Sequence, residues 1–518
     1  MAHALHSWLP SASQHFLFGA LAVLVYVMTT RARRQPRAPT TAIAWVMGLA
    51  LLPYLVLPLF LLFGRRKLRP AGRPRLRGQG APRFTHWAAD LLDGFELAPP
   101  SPNRTRFHAD GRAARLALWD VIANAHRRLD VSTFIIGRDA FGDEIVRRIV
   151  ERARAGVQVR VLLDGFGALQ LPRRHFDRLR EAGGEIAVFR PLLSLRNNGP
   201  RNLRNHRKLV VADDHRLWSG GRNLAAEYFE GTDDTLPWTD LSFEVEGPVA
   251  SAAAWQFERD WSAVRQTPPR TVVPATPIDD GAPAQFLPSG PDQAEDTAYA
   301  LLIDACYHAE QRILAATPYF IPDDALRDAL RHAARRGVAV DIVLPEVSNH
   351  RLADFARSRA MRDLAESGVL FHLLPAMSHA KAVVVDEQIA LGGSINLDLR
   401  SLLLNHEAGV VFYGKREIAW MAQWLEGQRR WDVRTSRRTR ASRGILPRAC
   451  CWPWRFSCRT SAARLSLHRA EFRRNAKAEA RRPLLIVRPS ASARGDSHDS
   501  RHSAVLLAPS TRTDRRHG

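Results

Sequence analysis

The sequence predicts an α/β protein of two tandem domains, each a mixed sheet flanked by helices, preceded by an N-terminal two-helix transmembrane hairpin. Three observations carry this expectation. Two apolar stretches near the N-terminus, residues 8–30 and 38–64, hold no formal charge. The body behind them runs twice through one alternation of helices and β-branched strands. Finally, a polar pattern wrapped around valines, NHRKLVVADDHRLWSGGRN at residues 205–223, returns 173 residues later as SHAKAVVVDEQIALGGSIN at residues 378–396.

The hairpin comes first, at 8–64, with helices expected over about 8–30 and 40–64. Both stretches reach the ~20 residues that a spanning helix needs, and Pro53 and Pro58 are tolerated in membrane helices. The alternative, a cleaved signal peptide, would carry a basic segment before the apolar run and a small-residue cleavage site, and neither is clear. Orientation follows from flanking charge. The short loop holds Arg31, Arg33, Arg34 and Arg37, while Arg65, Arg66, Lys67, Arg69, Arg73, Arg75 and Arg77 follow the second stretch. The larger cluster favours a cytoplasmic body with both termini inside, in the inner (plasma) membrane.

The first domain is expected over 85–265 and the second over 285–432. AHRRLDVSTFII, AGVQVRVLLDG and LREAGGEIAVF in the first answer to HAEQRILAATPYFI, RGVAVDIVLPE and LAESGVLFHLL in the second. Gly156 and Gly337 serve as helix stops ahead of the strands VQVRVLL and VAVDIVL. Between the domains QTPPRTVVPATPIDDGAP reads as a linker or long loop. The end of the chain, 433–518, is rich in Arg, Ser and Ala and reads as a basic, disordered tail. Two readings of that tail stand side by side, a solvated end and a basic arm for anionic lipid.

Charge limits the choice of partner. The chain carries a formal +23, but 21 of its Lys/Arg lie from Val433 onward against 5 Asp/Glu, and 11 lie before Gly78 with no acid at all. The body between is slightly acidic, which disfavours a nuclease tracking a phosphate backbone. Of four cysteines, three cluster in the tail as Cys450, Cys451 and Cys458, without metal or disulfide spacing, and Cys306 reads as an ordinary apolar residue.

In each copy of the repeated pattern a histidine and a lysine two apart share one face of a strand: His206 and Lys208, then His379 and Lys381. An aspartate ends the strand, Asp213 or Asp386, and a glycine turn leads to Asn223 or to Ser394 and Asn396. One HxK on a strand is usually surface decoration. Two copies with identical offsets point to one shared site, since folding requires no such pairing.

This HxKxxxxD pattern followed by GGRN or GSIN resembles the signature of the phospholipase D superfamily, whose two copies meet to form one active site. The likeness is closer still to bacterial cardiolipin synthases, through FGRRK after the apolar stretches, VRVLLDGFG, TPYFIPD and NLDLRSLLLNHE. It covers roughly residues 40–432 and stops at about Trp431. The resemblance implies transfer of a phosphatidyl group from one phosphatidylglycerol to another, giving cardiolipin and glycerol. His206 would be the nucleophile and His379 the acid/base, although the residues alone leave that symmetry unbroken. Lys208, Lys381, Asn223, Asn396 and Ser394 would hold the phosphate oxygens. No metal or other cofactor is implied, because lysines supply the positive charge. Asp240 and Glu407, which open the next strands 34 and 28 residues after the histidines, are the candidates for orienting the imidazoles. Asp213 and Asp386 are counted with the histidines and lysines in the catalytic motif, and are expected to stabilise it through local hydrogen bonds or ion pairs. Rival readings are a phospholipase D that uses water and yields phosphatidic acid, a membrane-tethered nuclease, and a non-catalytic lipid-binding module. The sequence sets no oligomeric state.

Overall fold

The computed structural model describes residues 11–32, 39–68, 84–192, 202–231 and 236–429. The tail 433–518, the basic loop at 33–38 and the basic run from Arg69 to Arg77 lie outside the described residues.

At the N-terminus, helix Ala12–Ala32 contains an apolar stretch, Ala12–Arg31, long enough to cross a membrane. The second stretch, expected as one helix over 40–64, is instead two shorter helices, Pro39–Leu51 and Pro53–Phe63. Pro53 causes the break. It has no N–H to continue the ladder, and it pushes the residue before it out of the α region, so Leu52 takes φ −134° and ψ 56°. Pro58 is absorbed inside the last helix. Among the described residues one helix, not two, is therefore long enough to span. The three pack through Ala22, Tyr26, Leu49 and Phe60, and Phe16, Leu24, Met47, Leu55 and Leu61 face outward uncovered.

The first half of the body supplies β1 (Ser101–His108), β2 (Arg128–Thr133), β3 (Gln158–Asp164), β4 (Glu185–Phe189), β5 (Leu209–Ala212), β6 (Arg216–Gly220) and β7 (Ser242–Glu246). The second supplies β8 (Ala282–Ser289), β9 (Arg312–Ala316), β10 (Phe320–Ile321), β11 (Ala339–Pro345), β12 (Leu370–Leu374), β13 (Ala382–Val385), β14 (Ile389–Gly393), β15 (Leu397–Asp398) and β16 (Glu407–Phe412). β10 and β15 form a small parallel pair. All the others join one sheet, β12-β11-β9-β13-β14-β16-β8-β1-β7-β6-β5-β2-β3-β4. This order is the same read from either end once equivalent strands are matched. Its centre is β1 against β8, antiparallel from Ser101 opposite Ala284 to Asn103 opposite Ala282. The sheet is mixed, with parallel β2–β3–β4 and β9–β11–β12 and antiparallel pairs between.

The helix stops behave as their glycines require. Gly156 and Gly337 take φ of 86° and 97°, a region costly for any residue with a Cβ, and each hands the chain directly to β3 or β11. The preceding helices start on Asp139 and Asp323, whose carboxylates accept the N–H of Gly142 and Leu326.

The valine runs are buried on both faces. Val210 and Ala212 of β5 face a core confined to the first half, with Leu129, Val131 and Ile145. Leu209 and Val211 face a second core shared with Ala382 and Val384 of β13 and with Phe243 and Phe412. Val383 and Val385 face a third, confined to the second half apart from Ala88 and Leu92 of the early helix Trp87–Gly94. A strand buried on both sides has to be apolar along its length, and its polar residues are displaced to its two ends. The expected linker is held down rather than free. Arg270 pairs with Asp214, and Ala275 donates its N–H to Ser251.

Candidate active site

β5 runs antiparallel to β2, with Leu209 opposite Ser132, so the segment entering β5 lies at the carboxyl ends of β2 and β3. The same holds for β13 against β9, with Ala382 opposite Ala316. His206 and Lys208, and His379 and Lys381, are therefore carried to matching ends of the two half-sheets.

There each histidine segment binds the other half. The N–H of His206 donates to the carbonyl of His406, and that of His406 to Arg204, both at 2.8 Å. Likewise His379 donates to Thr239 at 2.7 Å and Thr239 to Met377 at 2.9 Å. These short parallel bridges bring the carboxylates into reach crosswise. Nδ1 of His206 lies 3.0 Å from both oxygens of Glu407, and Nδ1 of His379 lies 2.8 Å from Oδ2 of Asp240. The sequence singles out these two acids but puts each beside the histidine of its own repeat; the structure exchanges the partners, because the residue before each acid is bridged to the histidine segment of the other half.

With Nδ1–H donating to a carboxylate, each ring keeps its lone pair on Nε2. Phe134 meets the His206 ring edge-on at 5.2 Å, and Tyr228 meets that of His379 at 4.9 Å. The His206 side chain is 13% exposed and that of His379 4%.

Lys208 donates to the carbonyl of His206 at 2.9 Å, and Lys381 to that of His379. Lys381 Nζ also sits 2.7 Å from His379 Nδ1. Burial sets the charge of this cluster. It lowers Lys208 to about 8 against the pull of Glu407 and Asp240. It lowers Lys381 to about 7, against the pull of Asp240 and with repulsion from Lys208. It lowers His379 to about 3, with Lys381 adding to the effect and Asp240 opposing it, and it lowers His206 against the attraction of Glu407. Burial alone would raise both acids. Lys381 and His379 nevertheless hold Asp240 below the usual carboxylate range, and His206 and Lys208 do the same for Glu407. Each lysine is attracted by both carboxylates, so the six groups form one electrostatic unit.

The two copies differ around their acids. A Cβ on Gly221 would lie 2.2 Å from Oδ1 of Asp240, so only glycine fits there. The equivalent Ser394 donates its hydroxyl to Glu407, which also accepts from Ser401 at 2.7 Å and Asn405 at 3.3 Å. Asn223 donates to the Tyr228 hydroxyl at 2.8 Å, and the N–H of Asn396 donates to Ser401 at 2.8 Å. Oδ1 of both asparagines is buried with no hydrogen-bond partner among the described residues.

Asp213 and Asp386, expected with the catalytic residues, stand apart from this cluster because they sit at the far ends of β5 and β13. Asp213 accepts the N–H groups of His126, Arg127 and Arg128 at 2.9, 2.7 and 2.7 Å. Asp386 accepts those of Glu310, Gln311 and Arg312 at 2.8, 2.9 and 2.7 Å. Each carboxylate thus ties the end of its motif strand to the start of β2 or β9.

Sequence reasoning also passes over Arg207, the residue between His206 and Lys208. Fully buried, it donates to the Glu407 carbonyl at 2.9 Å and pairs with Asp260 at 2.6 Å and Asp292 at 2.9 Å. Asp260, Asp292 and His406 lie close enough together to hold a metal ion, but the guanidinium already occupies the position of the cation. The contrast of HRK with HAK is the one sequence signal for it.

Fold and site together define a protein with two phospholipase D-like halves around one centre. The model of the "Cardiolipin synthase, PLD-like domain" family matches twice, at residues 118–261 and 302–431. Cardiolipin synthase A of Pseudomonas aeruginosa (strain LESB58) is 32% identical over 79% of this chain and 89% of its own length. That of Pseudomonas putida (strain W619) is 34% identical over 76% and 85%. The chain belongs to the cardiolipin synthase family of phospholipase D-like proteins and is a phosphatidyltransferase. Its fold is also similar to the crystal structure of phosphatidylserine synthase from Haemophilus influenzae Rd KW20, with TM-score 0.53 and 16% identity over 67% of this chain and 91% of that one.

Two substitutions separate the groups in the cluster from those that brace it. Asp240→Asn should lower kcat per folded molecule by on the order of 10²-fold, because the imidazole loses its charged partner. Full turnover would remove Asp240 from this role. Asp213→Ala should cost about 1–3 kcal/mol of stability by removing the acceptor of three partly buried N–H groups, with kcat per folded molecule within about threefold. Calorimetry beside an activity assay reads both, and lost turnover in a fully stable Asp213→Ala chain would place this carboxylate in the chemistry.

Proposed function

We propose that this chain makes cardiolipin from two molecules of phosphatidylglycerol, through a phosphohistidine on His206. The observation that carries the reading is the crosswise pair of imidazole–carboxylate contacts with two buried lysines between them. Nε2 of His206 attacks phosphorus, the bond to the leaving glycerol oxygen breaks, and His379 gives that oxygen its proton. The terminal hydroxyl of a second phosphatidylglycerol then returns a proton to His379 and attacks the phosphohistidine, which frees His206. Greater exposure of the His206 ring supports its role as nucleophile.

Charge balance accounts for how a group as acidic as His379 comes to hold a proton. With both lysines protonated and both acids ionised, the six groups are neutral with neutral rings. Binding a phosphodiester adds one negative charge, and one imidazolium restores the balance. Lys208 and Lys381 hold the non-bridging oxygens as charge develops. Ser394 acts through Glu407. Asn223 and Asn396 complete the cradle, and a turn of the Asn223 amide that lets the Tyr228 hydroxyl donate to Oδ1 frees Nδ2 for phosphate.

We assign 8–64 to the membrane hairpin, 85–265 and 285–432 to the two catalytic domains, and 433–518 to a basic tail. We place the chain in the plasma membrane as a multi-pass protein whose second crossing is made by Pro39–Leu51 and Pro53–Phe63 in series, with its body on the cytoplasmic side. The uncovered apolar helices and the basic cluster after them support this placement.

Solubilised full-length protein given phosphatidylglycerol without added metal should yield cardiolipin and glycerol by mass spectrometry, and His206→Ala should yield neither. Phosphatidic acid as the product would mean that water is the acceptor and that the reading is wrong. The lysines set the pH profile. They are charged below their values of about 8 and about 7, and they lose the charge that holds phosphate as pH rises through them. For a phosphodiester that does not itself titrate, kcat/KM should fall on the alkaline side through that range. The acid limb should lie below the ordinary histidine value, since burial lowers His206. A profile flat through the lysine range would take the lysines out of phosphate binding.

A further inference from the structure

The segments that follow the carboxyl ends of β3 and β11 lie at the end of the sheet that carries the histidines, and on this rim they hold large apolar side chains that the protein leaves uncovered. After β11 these are Val347, Leu352 and Phe355, at 68%, 85% and 83% exposure; after β3 they are Phe166 and Leu169, at 46% and 55%. Isolated exposed leucines need no explanation, but Val347, Leu352 and Phe355, three large apolar side chains exposed within nine residues after β11, do. Phe166 packs near Phe134, which meets His206. Asn349 and His350 contact Tyr319, whose phenol acts electrostatically on Tyr228, the ring that meets His379.

Helix Arg351–Ala365 is amphipathic in an unusual sense. Arg357, Ala360 and Leu364 face the protein, and Leu352, Phe355 and Arg359 face outward one turn apart. Arg351 and Arg362 are also exposed. An apolar tip followed by basic residues suits the boundary of an anionic bilayer.

The end of the apolar N-terminal helices reaches this rim too. The carbonyl of Phe63 accepts from Asn202, which lies four residues before His206. Lys67, 1% exposed, seats on the carbonyls of Gly290, Gln293 and Glu295.

We propose that this rim is a second membrane contact: Leu352 and Phe355, with Val347, insert into the interfacial layer of an anionic bilayer, so that the site opens directly onto lipid headgroups. Among the described residues, the contacts of Phe63 and Lys67 fix the body to the helices at one point. Insertion at the rim fixes the mouth against the surface and delivers substrate by lateral diffusion. The proposal rests on the phospholipid reading of the site for its purpose, but not for its geometry.

The test uses the full-length chain in nanodiscs of phosphatidylglycerol. L352D/F355D should lower kcat/KM on bilayer lipid by on the order of tenfold and leave it within about twofold on a short-chain phosphatidylglycerol that stays monomeric. Equal activity on both substrates, or equal loss on both, would overturn the proposal. A readout independent of turnover places a fluorophore at Phe355→Cys in a chain whose Cys450, Cys451 and Cys458 are serine. Quenching by acyl-chain nitroxide lipid supports insertion. Absence of quenching overturns it, as does quenching only between two labelled copies, which would assign the surface to a second chain. If no form of phosphatidylglycerol is consumed while the label is still quenched, the proposed function fails and the membrane contact stands.

Discussion

Each of the two buried imidazoles is oriented by a carboxylate from the other half of the chain, Glu407 for His206 and Asp240 for His379. Much of the structure follows from this exchange. The short backbone bridges beside the histidines, the shared apolar layer between β5 and β13 and the central β1–β8 pairing all bring two half-sheets together in the one arrangement that completes both pairs. Neither half alone holds an imidazole in a defined tautomer. The centre also depends on being dry, because burial is the main cause that brings lysine values down to about 7 and 8 beside ionised acids.

The near-symmetry of the fold stops at the surroundings of the acids. Glu407 accepts from three side chains besides His206, and its carbonyl is gripped by Arg207. Asp240 lies against Gly221, where no side chain fits, and the counterpart of Arg207 is Ala380. The pair at His206 is thus braced by a hydrogen-bonded network reaching to Asp260 and Asp292, and the pair at His379 is enclosed by aromatic rings and Lys381. A rigid, partly open ring suits attack on phosphorus, and a closed one suits keeping a proton for a single alcohol oxygen.

Local rules made much of this legible. The repeat, the mixed sheet, the helix stops at Gly156 and Gly337 and the identities of the polar residues all follow from spacing, because each depends on a few neighbouring residues. The exchange of carboxylates does not, since it depends on how two halves associate across some two hundred residues. Asp213 and Asp386 were legible as bracing groups, but their partners lie 85–87 and 74–76 residues earlier in the chain, beyond any local pattern. At Pro53 the reverse happened: a composition suited to one long helix was overruled by one missing N–H.

The palindromic strand order has a consequence for ancestry. Equivalent strands meet at the centre, so a protein of one half's length could build the same sheet by pairing with a copy of itself. In such a homodimer every change would appear twice, and the two imidazoles would be chemically identical. Joining the copies in one polypeptide removes that bond between them. Arg207 can arise opposite Ala380, and Ser394 opposite Gly221, without disturbing the other side. Two copies in one polypeptide are free to take different surroundings, and with them different proton affinities.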